Sequence, residues 1–462
     1  MIGEDVLYLP VRELGARIRK KTLSPVELAE AYLERSRELG SRFNAWANLT
    51  PELALEQARA AEKEIAAGHY RGPLHGVPYA LKDLVAVKGY PTTWGAPPFK
   101  DRQFDFNAAI VEKLNAAGAV LIGKAAMIEL AGGLGYSNGS ASLTGPARNP
   151  WNPECWTCGS SSGSGAVVSA GMVPWAIGSD TRGSIICPTT WCGISGMRPS
   201  LGRVSTQGAM AIAWSMDKLG PMARSADCCG LVLSVIADNF HYSPSDKPLR
   251  IGRLTNAWSR QAPGLESAVD TALKALEKSG AKVSDAALPE GPFEDAAELT
   301  ILMEAASAFQ DMVHSGTCAK LVDPLGQING YVSEELSATD YLEVQRVRAI
   351  LQRRVDKLFD QFDVLAAAGS ATAAQRLVPL PRGQNPAGPP AGPAVDNSQR
   401  APDGVSSLCG LPALSVPCGF SADSLPYGIQ FIARAGNDHL PIDAARKLQS
   451  LTDWHKHRPK IS

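Results

Sequence analysis

The stretch that decides the fold begins with CGSSSGSG at Cys158–Gly165 and ends with GSDTRGS at Gly178–Ser184. Two serines, Ser160 and Ser184, stand in its glycine- and serine-rich ends. Between these ends lie a run of small apolar residues and the sequence VPWAIGSD, a pattern typical of a tightly buried helix followed by a buried strand. The stretch therefore predicts an α/β protein in which a strand leads into the turn that carries Ser184.

The rest of the chain continues this alternation of helices and short apolar strands. The first seventy residues are predicted to be helical, with Ser24 as the N-cap before Pro25 and Glu27 completing a capping box. Further helices are predicted at 51–67, 109–117, 163–174, 264–279, 293–314 and 340–359, and strands at 77–87, 119–125, 173–180, 249–254, 363–368, 413–418 and 427–433. The Pro- and Gly-rich segment 375–404 has no periodicity and is either an ordered loop near a pocket or a mobile surface loop.

Composition sets limits on the function. The 462 residues carry a formal net charge of −1, which argues against general nucleic-acid binding. We also expect no secretion signal and no membrane span, and therefore a cytoplasmic protein. A monomer and a homodimer both remain open.

Nine cysteines are present, and Cys155 and Cys158 form a C-x-x-C pair. A zinc site is disfavoured because Cys187 and Cys192 have the wrong spacing for a second pair and no histidine stands nearby. A thioredoxin-type redox pair is equally disfavoured because the C-x-x-C lies in a Gly/Ser-rich loop. We therefore expect these cysteines to be thiols in the core, and no metal.

A serine hydroxyl needs a base before it becomes a nucleophile, and none of the seven histidines lies inside the serine motifs. Lys82, in the apolar run YALKDL, is the alternative base. Burial would lower its pKa toward neutral pH, and Asp83 would point to the opposite face of the strand. Taken alone, Lys82 would instead be a strand-end lysine with its amine in water.

The turn before Ser184 suggests an oxyanion hole. Successive N–H groups of Thr181, Arg182, Gly183 and Ser184 could converge on one oxygen, an arrangement that often supplies the largest catalytic contribution. A phosphate-binding loop is the alternative, and it is weaker because neither nucleotide-binding glycine pattern is present.

The ordered set of motifs resembles the amidase signature family over nearly the full chain. The matching segments are Gly76–Asp83, Cys158–Ser164, Gly178–Ile185, Cys192–Gly193, Gly202–Ser205 and Asp217–Arg224. The resemblance implies a single domain over 1–462, built as an α/β/α sandwich around a large mixed sheet. Its parts would be a helical N-terminal region (1–70), a catalytic core (71–235) and a C-terminal region with pocket loops (236–462).

The resemblance also implies site roles without any cofactor. Ser184 would be the nucleophile, Ser160 on a cis peptide would relay the proton, and Lys82 would be the base. The amides of Thr181 to Ser184 would bind the oxyanion of an acyl-enzyme reaction, with Ser161 and Asp180 in support.

Four positions depart from the family pattern. Cys158 and Ser162 replace glycines, Arg182 replaces the first glycine of the turn, and Ile186 replaces an arginine that pairs with the aspartate at position 180. We hypothesise that Arg182 takes over part of this pairing or reaches into the substrate pocket; otherwise its side chain points away and only its amide matters.

The expected function is hydrolysis of a small-molecule amide, carbamate or urea-like compound. One alternative is the glutaminase-type subunit of a tRNA-dependent amidotransferase, and another is an inactive binding protein on the same scaffold. Candidate pocket residues are Arg182, Tyr136, Trp191, Met210 and Trp214, although core packing is the simpler interpretation for any single aromatic residue, Trp94 included.

Overall fold

The computed structural model describes residues 2–258, 261–377 and 401–461. Its centre is one mixed sheet of 11 strands, flanked by helices, which confirms the predicted α/β fold. The strands of the structure are β1 Trp46–Leu49, β2 Pro78–Lys82, β3 Val120–Ala125, β4 Arg148–Asn149, β5 Asn152–Trp156, β6 Trp175–Asp180, β7 Ser195–Arg198, β8 Lys218–Ala223, β9 Arg250–Leu254, β10 Lys282–Ala286, β11 Val364–Ala368, β12 Ala413–Phe420 and β13 Pro426–Ala433.

Fifteen α-helices surround the sheet within the described ranges. They are α1 Glu4–Leu7, α2 Val11–Arg19, α3 Pro25–Phe43, α4 Pro51–Ala66, α5 Ala109–Ala116, α6 Ser162–Ser169, α7 Ile186–Cys192, α8 Ala226–Ile236, α9 Leu265–Lys278, α10 Phe293–Ala308, α11 Gln310–His314, α12 Pro324–Glu334, α13 Ala338–Asp356, α14 Ala401–Leu408 and α15 His439–Leu451. In the part of the chain that the structure describes, no helix combines the length and the apolar run needed to cross a bilayer.

The large sheet runs in the order β1-β3-β2-β6-β8-β7-β12-β13-β11-β9-β10. Strand β2 is parallel to both β3 and β6, whereas β8 is antiparallel to β6. Strand β6 therefore lies between β2 and β8, and its carboxyl end meets the carboxyl end of β2 and the start of β8. This junction is where the candidate site lies.

Small residues let the helix that follows the first serine motif pack closely. Gly163, in α6, lies so near the backbone atoms Ala126 N and Ala45 O that a Cβ would overlap both. Any side chain there would displace the serine-rich loop from the sheet. At the N-terminus, Ser24 caps α3 by accepting bonds from the N–H groups of Val26 and Glu27, as predicted.

The structure corrects several predicted elements. Strand β1 lies inside the N-terminal part that was predicted to be wholly helical, and β7, β8 and β10 were not predicted. Residues 401–404 belong to α14 rather than to a non-periodic loop. The remainder of the predicted loop at 378–400 lies outside the described residues.

The prediction that Cys155, Cys158, Cys187 and Cys192 are all free thiols is wrong. Cys158 and Cys187 form a disulfide, because the fold brings their Cα atoms to 5.9 Å across 29 positions of sequence. Cys155 and Cys192 are buried and free, as expected. Among the described residues, no group of three His, Cys, Asp or Glu side chains could hold a metal ion.

Candidate active site

Lys82 ends β2 and is fully buried. Its Nζ donates to Ser160 Oγ at 2.7 Å and to Ser179 Oγ at 2.8 Å. Ser179 lies on the neighbouring parallel strand β6, so the β2–β6 pairing brings the amine to both hydroxyls. The alternative of a strand-end lysine in water is therefore wrong. Ser179 was not singled out from the sequence, although it stands inside the quoted GSD motif.

The environment of Lys82 favours its neutral form. Burial lowers its pKa to about 7, even though the carboxylates of Asp180 and Asp217 act in the opposite direction. Asp83 points to the opposite face of the strand, as predicted, where its Oδ1 pairs with Lys124 Nζ at 2.9 Å. A substantial fraction of the Lys82 amine is therefore free to accept a proton near neutral pH.

The serine-rich loop is fastened to β6 and to the turn that carries Ser184. The peptide bond between Gly159 and Ser160 is cis, as the resemblance implies. Ser161 N donates to Ser184 O at 3.4 Å, and Ser161 Oγ donates to Ser179 O at 3.1 Å. Ser161 thus holds the two serine motifs against each other, which fits its predicted supporting place.

Asp180 closes the turn. Its carboxylate accepts from the N–H groups of Gly183 at 2.7 Å, Ile185 at 2.8 Å and Ile186 at 3.4 Å. The backbone reverses at Gly183, where φ is +115°. Because its N–H is already directed at Asp180, Gly183 is a poor oxyanion donor, which removes it from the predicted set and leaves Thr181, Arg182 and Ser184.

Arg198 is the partner of Asp180. Its Nη1 lies 3.5 Å from Asp180 Oδ1, and both side chains are fully buried. Burial alone would raise the pKa of Asp180, but Arg198, Lys218 and the turn amides together hold it below its ordinary value. Sequence reasoning missed Arg198 because it stands on β7, which was not predicted.

Arg182 does not take over the pairing with Asp180, so that hypothesis is wrong. Its Nη1 lies 2.5 Å from Glu298 Oε2 and 3.8 Å from Glu294 Oε2, both on α10. The side chain therefore leaves the turn toward α10, and only 10% of it is exposed.

The candidate pocket residues fall into different environments. Trp191 is buried, and its Nε1 donates to Ser370 Oγ and to Thr372 O, each at 3.1 Å. Met210 is also buried, whereas Trp214 is 54% exposed. For Trp191 and Met210 the structure supports core packing.

An aromatic residue that sequence reasoning missed lies beside the cis peptide. A side chain at Gly159 would meet the Trp156 ring at 3.0 Å. The Trp156 ring packs edge-on against Tyr136 at 6.2 Å and against Trp191 at 5.9 Å between ring centres. Tyr136 thus connects to the serine-rich loop through Trp156.

The amidase family profile matches residues 27–441 of the sequence. The chain belongs to the amidase family. This assignment confirms the resemblance and supports hydrolysis of a C–N bond.

Relatives and solved structures match the chain end to end. A glutamyl-tRNA(Gln) amidotransferase subunit of Chloroflexus aurantiacus is 34% identical over 99% of both chains. The native peptide amidase of Stenotrophomonas maltophilia superposes with a TM-score of 0.86 at 26% identity, covering 99% of each chain. A further amidase crystal structure has a TM-score of 0.85 at 26% identity, covering 96% of this chain and 99% of that one.

Proposed function

We propose that this amidase-family chain hydrolyses the C–N acyl bond of linear small-molecule amides or carbamates, with Ser184 as nucleophile, Ser160 as proton relay and Lys82 as base. The observation that carries the proposal is the buried Lys82 amine, which has a pKa of about 7 and lies 2.7 Å from Ser160 Oγ. A neutral amine in hydrogen-bond contact with a hydroxyl is what a histidine-free serine hydrolase requires.

The proposed reaction has two halves. Lys82 accepts the proton of Ser160 while Ser160 accepts that of Ser184, and Ser184 Oγ attacks the carbonyl carbon. The N–H groups of Thr181, Arg182 and Ser184 stabilise the resulting oxyanion. Ser160 then gives its proton to the leaving amine and takes one back from the Lys82 ammonium, the C–N bond breaks, and an acyl-enzyme remains with Lys82 neutral again. Water, deprotonated along the same route, releases the acid and restores Ser184.

The decisive experiment is a hydrolysis screen of anilides, primary amides, carbamates and ureas with the wild-type chain and Ser184→Ala. Turnover by Ser184→Ala should fall by at least about 10⁴-fold. A fluorophosphonate should label Ser184 in the wild type, as detected by mass spectrometry. The matched control is Ser169→Ala, which removes a buried serine hydroxyl bonded to Cys192 O at 2.8 Å. Undiminished turnover by Ser184→Ala would refute the proposal, and an intact, unlabelled chain would favour the inactive binding protein.

A second candidate is the glutaminase-type subunit of a tRNA-dependent amidotransferase. The observation that favours it is the 34% identity to an amidotransferase subunit over 99% of both chains. Glutamine hydrolysis together with co-purification of partner subunits from the native host would support this role. Turnover of anilides or carbamates by the isolated chain, without glutaminase activity, would exclude it.

A further inference from the structure

Two consecutive hydrogen bonds connect the buried amine of Lys218 to the backbone of the turn that carries Ser184. Lys218 Nζ, at the start of β8, donates to Ser407 Oγ on α14 at 3.0 Å. Ser407 Oγ donates in turn to the carbonyl oxygen of Thr181 at 2.7 Å. Lys218, Ser407 and Thr181 are all buried, so bulk water does not compete for these bonds.

The carbonyl of Thr181 and the N–H of Arg182 belong to one peptide group. This peptide group is trans, because among the described residues only the Gly159–Ser160 peptide bond is cis. The oxygen and the hydrogen of a planar trans peptide point in opposite directions. Because Ser407 holds the Thr181 oxygen toward α14, the Arg182 N–H must face away from α14.

A second contact restrains the same residue. Thr181 Oγ1 donates to Asp217 Oδ1 at 2.6 Å, and Asp217 Oδ2 accepts from the N–H groups of Ile212 and Ala213. The side chain of Thr181 is thus held by one network and its carbonyl by another. With both fixed, the peptide plane between positions 181 and 182 has little freedom to rotate.

We propose that Ser407, itself oriented by Lys218, is a positioning residue that sets the Thr181–Arg182 peptide plane so that the Arg182 N–H is a preorganised oxyanion donor. This inference rests on the proposed function. It also explains how Arg182 can replace a glycine in the turn: the backbone N–H supplies the chemistry, while the side chain is accommodated by Glu298 and Glu294 on α10.

The kinetic consequence follows from what an oxyanion donor does. Loss of one donor typically lowers kcat by about 10²- to 10³-fold, and a donor that is misaligned rather than removed should cost about 10- to 100-fold. Because the oxyanion exists only in the transition state, kcat and kcat/KM should fall together while KM stays within about twofold.

The test compares Ser407→Ala with Ser407→Thr and with the control Ser169→Ala, using one amide that the wild type turns over. Rates are normalised to sites titrated to completion with a fluorophosphonate, so that misfolded protein is not counted. We expect a 10- to 100-fold loss of kcat for Ser407→Ala, recovery to within about threefold for Ser407→Thr, and an unchanged pH midpoint. A loss expressed in KM, a loss no greater than that of Ser169→Ala, or no recovery by Ser407→Thr would overturn the inference.

Lys218→Met provides a second variant that keeps the Ser407 hydroxyl and removes its partner. Lys218→Met should lower kcat by about 3- to 10-fold, and an unchanged kcat would overturn the role of Lys218.

The proposed function and the positioning role of Ser407 fail in distinguishable ways. A wild type that is neither labelled at Ser184 nor active refutes the proposed function, whereas normal labelling with full kcat in Ser407→Ala refutes only the positioning role.

Discussion

At the scale of single residues, the candidate site depends on a lysine that is kept uncharged by burial. Lys82 lies with no exposed surface, and its nearest polar neighbours are the hydroxyls of Ser160 and Ser179. A hydroxyl stabilises an ammonium less than a carboxylate does, so desolvation decides the pKa. The carboxylate of the next residue, Asp83, lies on the other face of the strand, where it pairs with Lys124 instead of Lys82.

The rate should therefore depend on pH in a defined direction. The proposed reaction uses the neutral amine of Lys82, so kcat/KM should rise with pH through a midpoint of about 7 and level off above it. Initial rates from pH 5.5 to 9 with an uncharged amide substrate provide the measurement. Lys82→Met should lose this activity by at least about 10³-fold. A flat profile, or one that falls as pH rises through 7, would contradict the assignment of Lys82 as the base.

The buried ion pair of Arg198 with Asp180 predicts a large loss of stability on truncation. Arg198→Met leaves a buried carboxylate without its arginine and should lower the free energy of unfolding by about 3–5 kcal/mol. Urea denaturation followed by tryptophan fluorescence would measure this change. Arg17→Gln is the control, because Arg17 and its partner Glu13 are 42% and 47% exposed, and it should cost less than about 1 kcal/mol. Equal effects of the two substitutions would show that burial does not set the strength of the Asp180 pair.

The sequence was sufficient for the residues that the motifs contain, and insufficient for their long-range partners. Lys82 contacts Ser160, and Ser161 bonds to β6 beside them, in the places that the family resemblance implies for these motifs. Arg198 and Ser407 approach the turn only after distant elements have packed. Neither has a local pattern that marks it, so no periodicity or spacing could have indicated its place.

At the scale of elements, the disulfide joins the serine-rich loop to α7, the helix that follows Ser184. Cys158 precedes Ser160 by two positions, and Cys187 lies in the first turn of α7. The sequence alone suggested only core thiols, because the pairing crosses 29 positions and ignores the nearer C-x-x-C spacing. The backbone hydrogen bond from Ser161 N to Ser184 O joins the serine-rich loop to the turn that carries Ser184, but at 3.4 Å it is long. The covalent bond between Cys158 and Cys187 is therefore the stronger restraint between these two segments.

Removing this link should destabilise the protein measurably. A closed loop of about 30 residues restricts the unfolded chain by about 3.5 kcal/mol in the chain-entropy treatment. The double variant Cys158→Ser/Cys187→Ser should show a loss of this order in urea denaturation, and reductant should no longer affect it. Cys155→Ser, which alters a buried free thiol in the same apolar cluster, is the control and should retain the sensitivity of the wild type to reductant. A wild type whose unfolding is indifferent to reductant would contradict the bond.

Three of the elements that were not predicted lack a clear local sequence signal, each for its own reason. Strand β1 has only four residues, and β8 contains the Gly220–Pro221 pair that ordinarily marks a turn. Helix α14 follows directly after a Pro- and Gly-rich segment, so the sequence gives no clear signal for the position at which the helix begins. By contrast, β2 and β6 were found because each lies in a short apolar run, and both strands are fully buried.

At the scale of the whole molecule, the buried lysines should make the free energy of unfolding depend on pH. Burial holds the pKa values of Lys82 and Lys218 at about 7, well below the 10.5 of the unfolded chain. Between these values the unfolded chain binds more protons than the folded one, so the free energy of unfolding rises with pH in that interval. Above about pH 9 buried cysteines and tyrosines such as Cys192 and Tyr79, whose pKa values burial raises, act in the opposite direction.

The free energy of unfolding should therefore be greater at pH 8.5 than at pH 7.5, by about 1–2 kcal/mol. Urea titrations at the two pH values would measure it. The Lys82→Met/Lys218→Met double variant, which removes both amines, should show a much smaller difference. A wild type that is equally stable at both values, or less stable at pH 8.5, would contradict the buried-lysine account.

The residues of the candidate site are far apart in sequence, and this separation affects the order in which they become available during translation. Lys82 and Ser184 leave the ribosome before Ser407 and the strands β12 and β13, which follow Ser184 by more than 220 positions. A nascent polypeptide can therefore contain Ser184 long before Ser407 is available to bond to the turn that carries it. A nascent chain shorter than about 407 residues therefore lacks the Ser407 bond to the Thr181 carbonyl, and under the proposed function it should not yet hydrolyse substrate.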